Sequence, residues 1–209
     1  MKIIGILFTI LTAFLGCSDS SKWETNSKER EDRNRDLSPY EQQVLNYRDS
    51  MSAIFYSGSN NVLPEDEISP MGKLIFFDVD EKFRIKATFK KIEDGEVFEM
   101  KTSTDRLPEY RVYGKFSFQL DGDQSLTLYQ NVEQPEYLFC PFKDVTNGET
   151  SYGAGRYLDF KMDDLASPIL DFNYAYNPYC AYNKKYSCPI PPYENHLKVP
   201  VIAGEKKWH

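Results

Sequence analysis

Apolar residues recur at two different spacings along this chain, and the change between them divides it. Tyr40, Val44, Tyr47, Met51, Ile54 and Phe55 fall three or four apart, with one adjacent pair, and so share one stripe of a predicted α-helix. Ser38-Pro39-Tyr40-Glu41 reads as its start, with serine at the cap, proline at the first helical position and glutamate placed for a capping box. Ser57-Gly58-Ser59-Asn60 ends it. From Phe83 the period drops to two: Phe83, Ile85, Ala87 and Phe89 alternate with Arg84, Lys86, Thr88 and Lys90, as in a half-buried strand. Asp94-Gly95 is a hairpin signal, with Phe98 and Met100 on the return. Val112, Gly114, Phe116, Phe118 and Leu120 repeat the alternation, Asp121-Gly122 turns, and Leu126 and Leu128 follow. Tyr137 to Phe142, Tyr152 to Phe160, Ile169 to Tyr176 and Leu197 to Ile202 supply further strands. Successive hairpins without helix-length insertions predict a mainly β fold, an antiparallel sandwich or barrel with an N-terminal amphipathic helix.

A different pattern precedes the helix. Met1-Lys2 is followed by an almost unbroken apolar run from Ile3 to Leu15, then Gly16 and Cys17. Residues 1–16 have the layout of a secretory signal peptide, and the small residue before Cys17 resembles a bacterial lipobox. The run, about 13 residues, falls short of the roughly 20 a membrane-crossing helix needs. The expectation is therefore cleavage before Cys17 and attachment of acyl chains to it, with cleavage to a free soluble protein as the alternative. Ser18 after the cysteine points to the outer membrane of a bacterial cell envelope. The remainder of 17–37 is dense in charged and small polar residues and reads as a disordered tether, leaving 38–209 as a single domain.

Charge narrows the partners. The chain carries 32 acidic against 25 basic residues, a net charge of −7. That argues against a nucleic-acid binder, which should present a basic patch. It also argues against electrostatic adhesion to anionic lipid, so the lipid anchor is the expected membrane contact. Fifteen tyrosines and 14 phenylalanines suit strands and a large core. With only two histidines, His196 and His209, mechanisms that pair them have little to use.

The last third reads Gly155-Arg156-Tyr157-Leu158-Asp159, then Leu170-Asp171-Phe172-Asn173-Tyr174-Ala175-Tyr176-Asn177-Pro178-Tyr179-Cys180-Ala181-Tyr182, then Cys188-Pro189-Ile190-Pro191-Pro192-Tyr193-Glu194-Asn195 and Ala203-Gly204-Glu205. This block, with Pro141-Phe142-Lys143-Asp144 and Thr150-Ser151-Tyr152 upstream, resembles the bacterial and archaeal family called domain of unknown function sixteen-eighty-four. Cys140 and His196 depart from its pattern, where an apolar residue or proline and an arginine are expected. The resemblance implies a relationship and no activity.

The chemistry of the block can be read from its residues. On a regular strand from Ile169, Asp171, Asn173, Ala175 and Asn177 would share one face. That polar row, with Arg156, Asp159, Asn195 and Glu205, forms the candidate ligand-binding set, and a buried hydrogen-bond network is the competing role. Arg156 and Asp159 differ in parity and should point apart. Asp159, Asp171, Glu194 and Glu205 could also include the general acid and base of an envelope hydrolase. Cys180 and Cys188 bracket a short loop, for which a disulfide is the expectation in an oxidising compartment. The alternative is a metal site with His196 or a carboxylate, although seven intervening residues do not match the tight cysteine pairs of zinc sites. Cys140 is left as a buried apolar thiol. No nucleophile elbow, zinc-protease helix, phosphate loop or C-x-x-C is present, and Gly153-Ala154-Gly155 lacks the third glycine of a dinucleotide site. No cofactor or metal is expected, and the working function is a ligand-binding or structural module.

Overall fold

The computed structural model describes residues 37–60, 62–69 and 71–208. The expected signal peptide, Cys17 and all of the tether but Leu37 lie outside these residues. Among the described residues no helix is long and apolar enough to cross a membrane. Helix α1 (Pro39–Tyr56) begins at the proline that suits a first turn. It buries Val44, Arg48, Ser52 and Phe55, a stripe at helical spacing. Half of that stripe is polar, while Ile54, expected on it, is exposed. Arg48 can be buried because its guanidinium donates to the carbonyls of Phe77 (2.8 Å) and Asn173 (3.1 Å) and lies 4.7 Å over the Phe76 ring. Ser52 Oγ accepts from the Leu74 N–H at 3.2 Å. The helix is thereby fastened to two distant segments.

Eight strands follow among the described residues: β1 (Arg84–Lys86), β2 (Thr88–Lys91), β3 (Val97–Glu99), β4 (Glu109–Gln119), β5 (Asp123–Asn131), β6 (Leu138–Phe142), β7 (Arg156–Phe160) and β8 (Ile169–Asp171). The large sheet runs β2-β4-β5-β6-β7, with β3 also on β4, and β1 pairs with β8 in a second, two-stranded sheet. Every ladder is antiparallel. The large sheet does not close, so the architecture is the sandwich rather than the barrel. One core lies between the two sheets, from Ile85 and Leu170 to Phe116, Leu126, Leu138, Phe142 and Leu158. The opposite face of the large sheet is also covered, by Tyr176, Cys180, Tyr186 and Cys188 packing on Tyr110, Tyr129, Phe139 and Tyr157. Burial on both faces explains why all of β6 is inaccessible.

Several expected elements differ, each because of contacts with other segments. The alternation from Phe83 to Lys90 is one run in the sequence but two strands in space: the chain leaves the small sheet at Ala87, whose N–H donates to Pro168 O (3.0 Å), and joins the large one at Thr88. Asp94-Gly95 turns without making a hairpin. β2 and β3 both lie on β4, and the turn is fastened to that strand by Ile92 N–H to Tyr113 O (3.0 Å), Val112 N–H to Glu96 O (2.9 Å) and Arg111 to Gly95 O (3.0 Å). In β4 the register shifts between Val112 and Gly114. This bulge moves even-numbered residues from one face to the other, so Tyr110 packs under the C-terminal loops and Phe116 in the central core. Leu197 to Ile202 forms no strand: Leu197 N–H still donates to Lys143 O (2.8 Å), but at Val201 side chains take the backbone groups, its N–H donating to Asp144 Oδ1 (3.2 Å) and its O accepting from Arg156 (2.8 Å). Asp121-Gly122, with φ of 47° and 113°, does form the expected tight hairpin between β4 and β5.

Candidate functional site

The row expected on one strand, Asp171, Asn173 and Asn177, does not form. β8 ends at Asp171, and the chain turns into a 3-10 helix over Phe172–Tyr174, with Asp171 Oδ1 accepting from the Asn173 N–H (3.1 Å). Short polar side chains that bond the backbone two residues ahead favour such a turn over a continuing strand. Asp171 and Asn173 then serve a closed network. Tyr40 donates to both Asp171 oxygens (2.8 and 2.9 Å), Asn173 Nδ2 donates to Tyr40 Oη and Asp80 O (2.9 Å each), and Asp80 N–H donates to Asn173 Oδ1 (3.1 Å). Arg84 approaches Asp171 at 3.7 Å.

Arg156 and Asn195 are also structural. Arg156 and Asp159 lie on opposite faces of β7, as parity requires, and Arg156 is fully buried. It pairs with Asp144 (2.9 Å) and donates to the carbonyls of Val201 (2.8 Å), Ala203 and Glu205 (3.2 Å). Asn195, equally inaccessible, accepts from Thr127 N–H (2.7 Å) and donates to Thr127 O (2.8 Å) and Pro141 O (2.7 Å). The β5–β6 ladder spans only Tyr129↔Phe139 and Gln130↔Leu138, and Pro141 has no N–H to extend it. The Asn195 amide takes the place of the missing rungs. Asn195→Ala is expected to lower stability by about 2 kcal/mol and to speed exchange of the Thr127 amide. An unchanged urea midpoint together with unchanged Thr127 exchange would refute that role.

Asp159, Asn177 and Glu205 meet elsewhere. They border a cavity of about 280 Å³ walled by Tyr47, Met51 and Phe55 of α1, by Leu74 and Phe76, and by Tyr176 and Tyr179. Two backbone features bring them there. Tyr157 and Tyr176 exchange hydrogen bonds (2.9 and 3.2 Å), laying the C-terminal chain along the edge of β7 beside Asp159. Gly204, at φ 74°, turns the chain where a Cβ would strike the carbonyl oxygens of Ala175 and Phe172, and the Glu205 N–H then donates to Ala175 O (2.8 Å).

The two carboxylates differ in setting. Asp159 is open to solvent and accepts from Tyr137 Oη (3.0 Å) and Tyr176 Oη (2.8 Å), while partial burial raises its pKa. Glu205 is inaccessible and accepts from Tyr182 Oη and Asn177 N–H (2.9 Å). Burial pushes its carboxyl up to about 7, against the opposing pull of those donors and of Arg156. Burial and the charges of Asp159 and Glu205 together push Tyr47 up to about 12. Asn177 Nδ2 donates to Lys206 O (2.7 Å), which fixes the amide orientation and leaves its buried Oδ1 with no hydrogen bond. The cavity therefore offers acceptors within an aromatic wall. The contribution of α1 and of Leu74 and Phe76 had no sequence signal beyond their hydrophobicity.

Residues 71–206 match a family model described as "Protein of unknown function (DUF1684)". The chain belongs to this family. It is similar to the solution NMR structure of an uncharacterized protein from gene locus rrnAC0354 of Haloarcula marismortui, at 35% identity and a TM-score of 0.63, over 86% of this chain and 96% of that one. No match is found among curated proteins.

Two further features of this DUF1684 domain bear on its chemistry. The disulfide expected between Cys180 and Cys188 is not present: both are free thiols. They are neighbours, with Cys188 Sγ accepting from the Cys180 N–H at 3.2 Å, and the hydrogen bond between them lowers the pKa of Cys180 and raises that of Cys188. The metal alternative fails on placement. His196 stands beside Tyr193 and bonds Pro191 O (3.1 Å), whereas Cys188 packs under the sheet, and no three His, Cys, Asp or Glu converge among the described residues. Cys140 is buried, and burial raises its pKa. A depression of about 860 Å³ holds Glu194 and His196 against Lys86, Lys115, Ser117 and Gln119. It is an open trough along the outer side of β4 and β5. Glu194 there accepts from Tyr129 Oη (2.7 Å). The smaller cavity brings together more of the expected site residues in a more enclosed setting, and it is the candidate site.

Proposed function

We propose that this DUF1684 protein is a lipid-anchored component of a bacterial cell envelope whose domain binds a small molecule in the Asp159–Asn177–Glu205 cavity. One observation carries the binding role: polar groups from β7, the Tyr176–Tyr179 segment and the chain after Gly204 converge in an aromatic-walled cavity. Its volume, about 280 Å³, lies at the lower end for small-molecule sites. Arg156 and Asn195 are fully buried and bonded to the carbonyls and carboxylate around them, whereas Asp159 faces solvent and Asn177 brings an unused acceptor to the cavity wall. A hydrolase using these carboxylates is less well supported. Of the four candidates only Asp159 and Glu205 share the cavity, and both Glu205 oxygens are engaged by protein donors, which hinders proton transfer.

Binding is tested by screening small metabolites for thermal stabilisation of the full chain and of Met51→Trp, which fills the cavity. Compounds that raise the Tm of the native protein but not of the filled variant would support the role. Equal stabilisation of both proteins, or none of either, would overturn it. Anchoring is supported by the apolar leader that ends at Gly16-Cys17, and an outer-membrane position by Ser18. Labelled fatty acid should be incorporated into the chain in bacterial cells and be lost with Cys17→Ser. Label retained in that variant, or absent from the native chain, would remove the anchor.

A further inference from the structure

We infer that the ligand of this cavity is a small organic ammonium ion with an apolar body. The inference rests on the binding role proposed above and specifies its chemistry. Three features of the cavity point the same way. Its charged groups are both carboxylates, Asp159 and Glu205, and no Lys, Arg or His lines it. The nearby cations point elsewhere: Arg48 lies over Phe76 and donates to two carbonyls, Arg156 is paired with Asp144, and Lys206 Nζ lies 5.0 Å over the Phe77 ring. An ammonium entering here would meet the charge of Asp159, which no cation of the protein pairs within the cavity, and beside it a Glu205 carboxyl whose raised pKa a bound cation would lower.

The second feature is independent of charge. Asn177 is 1% exposed, its Oδ1 makes no hydrogen bond, and it belongs to the cavity wall. A buried acceptor without a donor is costly, so a ligand that donates gains from filling it. An ammonium carries three donors and no acceptor, which suits a site offering carboxylate and amide oxygens. A carboxylate ligand would bring more acceptors and a repelled charge. The third feature is the wall itself. Tyr47, Phe55, Phe76, Tyr176 and Tyr179 present aromatic surface, which attracts cations through the ring quadrupole and also covers an apolar body. Asp159, held between the hydroxyls of Tyr137 and Tyr176 yet open to solvent, is the residue placed to receive the charge.

The test compares three probes of similar size and different charge: phenethylammonium, 3-phenylpropanol and 3-phenylpropanoate. The readout is the methyl resonance of Met51, which lines the cavity, in full-length chain purified in detergent and labelled at its methionine methyl groups, with Met51→Leu for assignment. Phenethylammonium is expected to shift that resonance with a Kd at least about tenfold below that of the alcohol. The preference should shrink as salt rises from about 0.05 to 0.5 M and disappear in Asp159→Asn. The other methionine methyls report whether that variant is folded, and the salt series needs no variant. If the alcohol or the carboxylate shifts Met51 as strongly, the cavity binds ligands but the ammonium assignment falls. If none of the three shifts Met51 at about 10 mM, a concentration covering even weak binding, the binding role falls with it.

Discussion

Arg156→Ala is expected to destabilise the domain by about 4 kcal/mol or more, much of the total for a domain of this size. The substitution does more than delete a side chain. Asp144 would be left inaccessible to solvent with its charge uncompensated, held only by Thr146 and the Val201 N–H. The carbonyls of Val201 and Ala203, and one bond to that of Glu205, would lose their donor in a segment with no ladder to replace it. Removing both charges with Arg156→Met and Asp144→Ala should therefore recover only part of the loss, because the carbonyls stay unpaired. Urea denaturation of the three proteins measures this. A loss below about 1 kcal/mol in Arg156→Ala would mean that water substitutes for the guanidinium.

Stability should fall as pH rises from about 4.5 to about 7. Glu205 is the cause. Its carboxyl is pushed from the ordinary 4.5 up to about 7 by burial, so in that interval the folded chain holds a proton that the unfolded chain releases. The favoured state is thus the protonated, folded one at the acid end, and the advantage is lost towards neutrality, by at most about 3 kcal/mol from this group. Asp159 adds to the effect with the same sign, since burial raises its pKa too. In Glu205→Gln the amide oxygen can accept from the Asn177 N–H while its NH2 meets the Tyr182 hydroxyl, which rotates to accept. That variant should flatten the dependence. Thermal denaturation at pH 5 and pH 8 compares the two chains, and the same slope in both would exonerate Glu205.

The sequence made the helix, the central hairpin and the antiparallel class legible because each rests on a local pattern. Pro39 and the spacing of Val44 and Phe55 mark α1, and Asp121-Gly122 marks the β4–β5 turn whose two residues take positive φ. What escaped depends on groups distant in the chain. The switch of sheets at Ala87 is set by Pro168, and the missing strand after Leu197 by Asp144 and Arg156. Arg48 and Ser52, polar residues on the buried stripe of α1, find partners at Phe77, Asn173 and Leu74 that no periodicity announces. The candidate set was partly legible. Asp159, Asn177 and Glu205 do meet, through the Tyr157–Tyr176 pairing and the Gly204 turn, while the strand expected to carry Asn177 ends at Asp171.

The way α1 is fastened has a consequence for how the protein reaches its native state. Tyr40 finds Asp171 across 131 positions of chain, and Arg48 finds Asn173 across 125. Such closures come late, because the entropy of bringing distant segments together is lost before their contacts return it. The β4–β5 hairpin, closed by a tight turn, is suited to form first. The cavity should then be among the last parts to take shape in refolding, and its aromatic wall, Tyr47, Phe55 and Tyr179 included, stays uncovered until that step. A slow final phase, with sticky surface exposed until it ends, makes this a chain that gains from a holding chaperone on its way to the folded state.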